Sequence, residues 1–195
     1  MVTAIVLAAV GSLAYAMSSA KDASDDTSLK QAQVRSATMR ISELVRNAKL
    51  ICGTPTDAIV IWRADVDSNK KINSDELVYI QSNSAREKIQ LIQYNRPASY
   101  NTTFTLAQIQ SGAAKSTLDS ACQKTTVDLI PDCSGVVFLL DNAAIPQRSK
   151  LVSVKFTITE NESPRTSEIY ATVMSPAFNL LSSTATPYIV SGDDD

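Results

Sequence analysis

The stretch best suited to chemistry in this 195-residue chain is the run Asp65-Val66-Asp67-Ser68-Asn69-Lys70-Lys71-Ile72-Asn73-Ser74-Asp75-Glu76. It places oxygen donors at alternate positions of a twelve-residue loop. Asp65, Asp67 and Asn69 take positions one, three and five, Lys71 supplies a carbonyl at seven, Asn73 stands at nine, and Glu76 closes the run at twelve. A hard dication such as Ca²⁺ takes about six to eight oxygen ligands in such a pattern, with the last carboxylate bidentate. Ile72 fits the apolar eighth position, but Lys70 stands at the sixth, where glycine normally makes the sharp turn. Two readings stand: a loop that holds Ca²⁺ in a structural role, or a polar hairpin closed by Asx-turns.

Little else in the sequence suggests reactive chemistry. There is no histidine, which removes the commonest general base at neutral pH and every Ser-His or Cys-His nucleophile pair. The scattered Asp and Glu give no acid–base pair at a defensible spacing, so the expectation is a protein that is not an enzyme. Net charge is −2, and Lys and Arg are scattered along the chain. No basic stripe exists to track a phosphate backbone, which argues against nucleic acid as a partner.

Three cysteines are too few and too far apart for a structural zinc site. In an oxidising compartment Cys122 and Cys133 could close a short loop, stabilising the fold by roughly 2–3 kcal/mol on the chain-entropy model. Cys52 would then be left over at the end of an apolar stripe. The other reading is three reduced, buried thiols. Trp62 reads as core or hairpin packing.

These residues need elements to hold them. On either side of the loop, residues 57–64 (DAIVIWRA) and 76–81 (ELVYIQ) are rich in β-branched side chains and read as strands. The loop is therefore a hairpin connection, not a helix–loop–helix. Residues 86–94 form a weaker strand candidate, 105–123 have helical composition, and 135–141, 151–160 and 168–174 form a strand series. In the second of these, Val152, Val154, Phe156 and Ile158 face one way and Ser153, Lys155, Thr157 and Thr159 the other, as in a half-buried antiparallel strand. Residues 161–165 read as the hairpin turn that follows it.

The N-terminal part has a different character. Residues 2–17 (VTAIVLAAVGSLAYAM) carry no charge, and as a helix would reach about 24 Å, short of a hydrocarbon core of about 30 Å. No Pro or Gly occurs between Ser18 and Ile51. Val34, Ala37, Ile41, Leu44, Val45, Ala48 and Ile51 recur at helical spacing, with Arg35, Arg40, Glu43, Arg46 and Lys49 mostly opposite. Gly53, Thr54 and Pro55 are the stop signal. The polar run Ser18–Ser28 is a candidate kink. The expected organisation is an apolar helical segment over 1–17, an amphipathic continuation over 18–52, a β-rich head over 53–190 and an acidic tail over 191–195. The fold class is α+β, with Val34, Ile41 and Leu44 meeting an antiparallel sheet.

An apolar N-terminal helix running into an amphipathic half (VTAIVLAAVGSLAYAM…QAQVRSATMRISELVRNAKLI), followed by a β-rich head, resembles the type IV pilins and the minor pseudopilins of type II secretion. The opening Met-Val-Thr-Ala-Ile-Val-Leu is similar to that family's segment just after its mature-start glutamate, so a basic leader and that glutamate are expected upstream of Met1. The resemblance implies a structural subunit, expected to be a minor one. Its transmembrane-like helix would rest in the inner membrane, with the head in the periplasm, before packing into an extracellular filament. The implied partners are other pilin or pseudopilin subunits, the membrane and the assembly machinery. Small residues Ala8, Ala9, Gly11, Ser12, Ala14 and Ala16 would allow close helix–helix approach. The alternative is a secreted calcium-loop β protein whose signal peptide is cleaved after Ala16, within the small-x-small triplet Ala14-Tyr15-Ala16.

Overall fold

The structure is a computed structural model. It describes residues 2–190 except 56, 67, 96, 98–101 and 161–162, with the backbone alone over 2–10. Asp67, part of the 161–165 turn and the acidic tail thus lie outside the described residues.

One helix, α1 (Val2–Arg46), runs through the N-terminal part of the chain. The polar run Ser18–Ser28 does not break it. Thr27 Oγ1 donates back to the Ala23 carbonyl at 3.1 Å, and Lys30 Nζ donates to Asp26 Oδ2 at 2.7 Å, both four residues apart. The helix ends at Arg46, several residues before Gly53. Residues Leu50–Gly53 instead form strand β1, fully buried and paired antiparallel with β2 (Ala58–Trp62). Ile51 continues the apolar spacing of the helix, but the open edge of β2 offers Leu50 and Ile51 a backbone ladder opposite Trp62 and Ile61. The amphipathic helix expected over 18–52 is shortened accordingly.

A five-stranded antiparallel sheet follows in the order β1-β2-β4-β5-β7, adding β4 (Leu77–Ser82), β5 (Ile89–Asn95) and β7 (Gln123–Ile130). Its strand β2 is buried on both faces, so Ala58–Trp62 reads as a continuous apolar run rather than an alternation. A three-stranded sheet, β10-β9-β8, is built from β8 (Ser134–Leu140), β9 (Leu151–Glu160) and β10 (Ser163–Thr172). Ser163, Pro164 and Arg165, expected in a turn, instead belong to β10, with Pro164 opposite Thr159. β10 is an edge strand, where a residue without an N–H costs no ladder bond on the open side. A two-stranded ribbon pairs β3 (Ile72–Asn73) with β6 (Thr103–Phe104).

Between β6 and β7 lie two short helices, α2 (Leu106–Gln110) and α3 (Ala113–Ala121). Thr105 starts α2 by a reciprocal cap: Gln108 N–H donates to Thr105 Oγ1 at 3.2 Å, and Thr105 N–H donates to Gln108 Oε1 at 2.9 Å. Gly112, at φ +81°, turns the chain between the two helices.

Two cores result. The first joins Ala37, Ile41, Leu44 and Val45 of α1, and Ala48 just beyond it, to Ile59, Ile61, Val78, Ile80 and Leu91 of the large sheet, and to Val152, Val154, Phe156 and Ile158 of β9. The second fills the opposite face of the large sheet, where Trp62, Tyr79 and Tyr94 meet Leu106, Ile109 and Leu118. The architecture is α+β, as the sequence implies.

Candidate functional site

The polar loop is the connection between neighbouring strands β2 and β4, a hairpin loop as its flanks suggest. Its centre is Glu76, which closes the short 3₁₀ turn Ser74–Glu76 and is only 1% exposed. The Glu76 carboxylate collects three N–H donors. Val66 N–H donates to Oε1 at 2.7 Å, while the Trp62 indole N–H and the Asn73 N–H donate to Oε2 at 3.1 and 3.0 Å. Strand, loop and turn are thus tied to one buried anion, and charge-assisted bonds of this kind are the stronger class.

Asp65 organises the other side of the loop. Its side chain is 4% exposed and lies 3.8 Å from Lys49 Nζ. Oδ1 accepts the Asn69 N–H at 3.1 Å and Oδ2 accepts the Lys70 N–H at 3.0 Å. Asn69 Oδ1 accepts the Lys71 N–H at 2.7 Å. Ser68 and Lys70 both adopt positive φ, +55° and +57°. Lys70 therefore takes the left-handed conformation that glycine supplies at the sixth position of a calcium loop. For a residue with a Cβ this costs on the order of 1–2 kcal/mol, offset by the Asp65 bonds. The Lys49 ammonium, 5.3 Å from the Trp62 ring centroid, links the loop to the end of α1.

The donor set bears on both readings of the run. Asp65, Asn69 and Glu76 turn side-chain oxygens toward the protein's own N–H groups, Asn69 to Lys71 as an Asx-turn, and Lys71 and Asn73 take part through their backbone N–H. A cation at the loop centre would compete with those donors for the same lone pairs. Among the described residues, no group of three or more His, Cys, Asp or Glu side chains could hold a metal ion. Asp67 lies outside the described residues.

The cysteines are free thiols, with Cys122 and Cys133 not bonded to each other. The eight-residue strand β7 lies between them, and an extended strand of that length separates its ends by about 26 Å. A disulfide needs Cα atoms within roughly 7 Å. Cys133 joins the first core and Cys122 borders the second. Burial pushes all three thiols up: Cys133 to about 11, with Asp132 adding to the effect, and Cys52 further still. None is an activated nucleophile near neutral pH. Burial, then Asp119, which accepts the Tyr94 hydroxyl proton at 2.9 Å, pushes the Tyr94 phenol well above its usual value.

The second functional candidate is a surface. From Gly11 to Ala20 along α1, every position is exposed. Leu13, Tyr15 and Met17 are 61%, 78% and 67% exposed. The head first grips the helix near Lys30, whose Nζ donates to the Thr159 carbonyl at 2.7 Å. Beyond it, Val34 is partly buried and Ile41 wholly so. No helix among the described residues is long and apolar enough to cross a membrane, in keeping with the short apolar run of the sequence. Sequence reasoning foresaw the apolar helix but not the point at which the head releases it; Lys30 carries no signal of its tertiary partner.

Comparison with protein-family models, with curated proteins and with solved structures found no match.

Proposed function

We propose that this chain is a structural subunit of a filament, of the type IV pilin and type II secretion pseudopilin kind, and has no catalytic role. The observation that carries the reading is the division of one unbroken helix into a half clasped by the head and a half with its apolar side chains in the open. Isolated apolar surface of this kind is covered by a partner or by lipid. In this reading the proximal half rests in the inner membrane with the head in the periplasm, and then packs among related helices in a filament. The machinery that extracts the subunit is the further partner. The buried Glu76 carboxylate serves the head by fixing the β2–β4 loop.

The test is membrane fractionation of the native protein with N-terminal sequencing, followed by electron microscopy of sheared surface material. Retention of residues 2–17 and recovery of the chain in filaments are expected. A soluble native protein starting near Met17 overturns the reading in favour of a secreted protein.

A further inference from the structure

We infer that the cleft beside the Lys70 turn is a docking site for an acidic peptide segment, and that its occupant is this chain's own residues 191–195. The inference stands apart from the filament reading, because it concerns the head alone.

The cleft encloses about 290 Å³ where the β3–β6 ribbon meets the last described residues of the chain. Ile72, Phe104 and Leu106, all buried, form its floor, and Tyr188, 58% exposed, stands at its lip. Lys70 and Lys71 line it as well. Consecutive side chains of an extended chain point to opposite sides. The left-handed φ of +57° at Lys70 breaks that alternation, and both lysines face one cleft. Among the described residues, no carboxylate lines it. The loop's own acids are engaged elsewhere. Asp65 accepts the Asn69 and Lys70 N–H groups beside Lys49, and Glu76 is buried under its three donors. Two cations beside an apolar floor are screened less than in open water, and they call for an anionic segment.

The sequence supplies one within reach. Tyr188 lines the cleft, Val190 lies two residues on, and Ser-Gly-Asp-Asp-Asp follows. Only Ser191 and Gly192 separate Val190 from the first carboxylate, and five residues span up to about 17 Å. A tether this short holds the acids at an effective concentration of millimolar order. Pairing too weak for a free peptide therefore suffices within the chain. Aspartate has no apolar body to bury, so the carboxylates meet the ammonium groups at the rim and the segment straps the cleft. Such a contact is sensitive to salt. The rival cation is Lys150, which lies 5.6 Å from the Phe178 ring centroid. Phe178 is two residues before Leu180, whose carbonyl accepts the Val190 N–H.

The test is zero-length carbodiimide coupling of the full chain in dilute solution with mild detergent, mapped by peptide mass spectrometry. The reagent joins a lysine amine to an adjacent carboxylate, and the Lys30–Asp26 pair, 2.7 Å apart, is the internal standard. At low salt, amide links should join the aspartates at 193–195 to Lys71 or Lys70 within single chains. They should fall about fivefold or more at about 0.5 M NaCl. K70E/K71E should abolish them, and adding D193K/D194K/D195K to that variant should restore coupling between the same two segments. K150A should leave the wild-type links unchanged. Coupling to Lys150 instead, or links found only in dimers whose yield rises with chain concentration, overturns the inference. So does a wild-type map in which Lys30 and Asp26 are joined while residues 193–195 are not. Each of these outcomes leaves the filament reading untouched.

Discussion

The two halves of α1 have the same backbone and similar helix formers, yet different things hold them in place. Over residues 34–46 a side chain disappears into the head at nearly every turn: Ala37, Ile41, Leu44 and Val45 are all buried. Over residues 11–29 no side chain is buried, and Leu13, Met17 and Leu29 remain mostly exposed. Tertiary burial stabilises the distal half, since each buried Ile or Leu contributes about 1.5–3 kcal/mol. The proximal half has only its own ladder and the continuity of the rod, and isolated helices shorter than about 12–15 residues are marginal in water. The difference separates the part of the helix that the core holds from the part that, in the filament reading proposed above, is kept for a partner.

Truncation at the two ends gives the largest expected contrast. Ile41→Ala should destabilise the head by about 3–4 kcal/mol, because the first core cannot collapse fully around the lost methylenes. Met17→Ala should change it by less than about 0.5 kcal/mol, as surface substitutions do. Urea denaturation followed by tryptophan fluorescence reads both, since the only tryptophan, Trp62, is buried in the head. Equal losses at the two positions would erase the distinction between the halves.

The loop has a similar inner and outer part, and Glu76 is its inner one. Glu76→Gln exchanges one acceptor oxygen for an NH₂ group facing N–H donors, and should cost about 2–3 kcal/mol in the same assay. Asn69→Ala, at the exposed tip, should cost under about 1 kcal/mol. Calcium sharpens this further. With Asp65 and Glu76 engaged by N–H groups, millimolar Ca²⁺ should leave the melting temperature of the wild-type chain within about 1 °C; a rise of several degrees restores the calcium-loop reading.

How much of this was legible in the sequence depends on whether local pattern or tertiary partner decided each element. The strand Leu151–Glu160 showed itself because its two faces have different environments. The helix over 2–46 showed itself through spacing and the lack of Pro and Gly after Gly11. Leu50–Gly53 did not, because Ile51 keeps the helical period and only pairing with β2 makes those residues a strand. Nor did Gln123–Ile130: it is an edge strand with mostly exposed side chains, so hydropathy has no alternation to reveal, and its ladder with β5 defines it. In the loop, the closing carboxylate at Glu76 was visible as a motif. Its donors were not, since the Trp62 indole comes from the preceding strand and is brought there by the hairpin.

The thiols give a pH-dependent form of the comparison between core and surface. Cys133 belongs to the core that anchors the distal helix, and its folded value of about 11 lies above the 9.0 of an ordinary thiol. The folded state therefore holds its proton where the unfolded chain would lose it. The stability this contributes is fully present below about pH 9 and is lost as pH rises toward 11. The melting temperature should fall across that window, and Cys133→Ser should flatten part of the fall. Thiol labelling at pH 8 should be slow for Cys52 and Cys133, and unfolding should expose both.

Lys30 marks the boundary itself, and its replacement should have the smallest effect. Its ammonium bridges Asp26 on its own helix and the Thr159 carbonyl at the end of β9, with about a quarter of the side chain still exposed. Partly exposed pairs of this kind contribute about 0–1 kcal/mol, so Lys30→Ala should barely move the denaturation midpoint. Its effect should be local: faster amide exchange over about two turns around residue 30, with Ala37 to Val45 unchanged, because those residues are held by the core. If exchange instead quickens at Ile41, the head's grip on the helix is a single cooperative unit reaching to its lower edge. The boundary between the two halves would then lie nearer the N-terminus than Lys30.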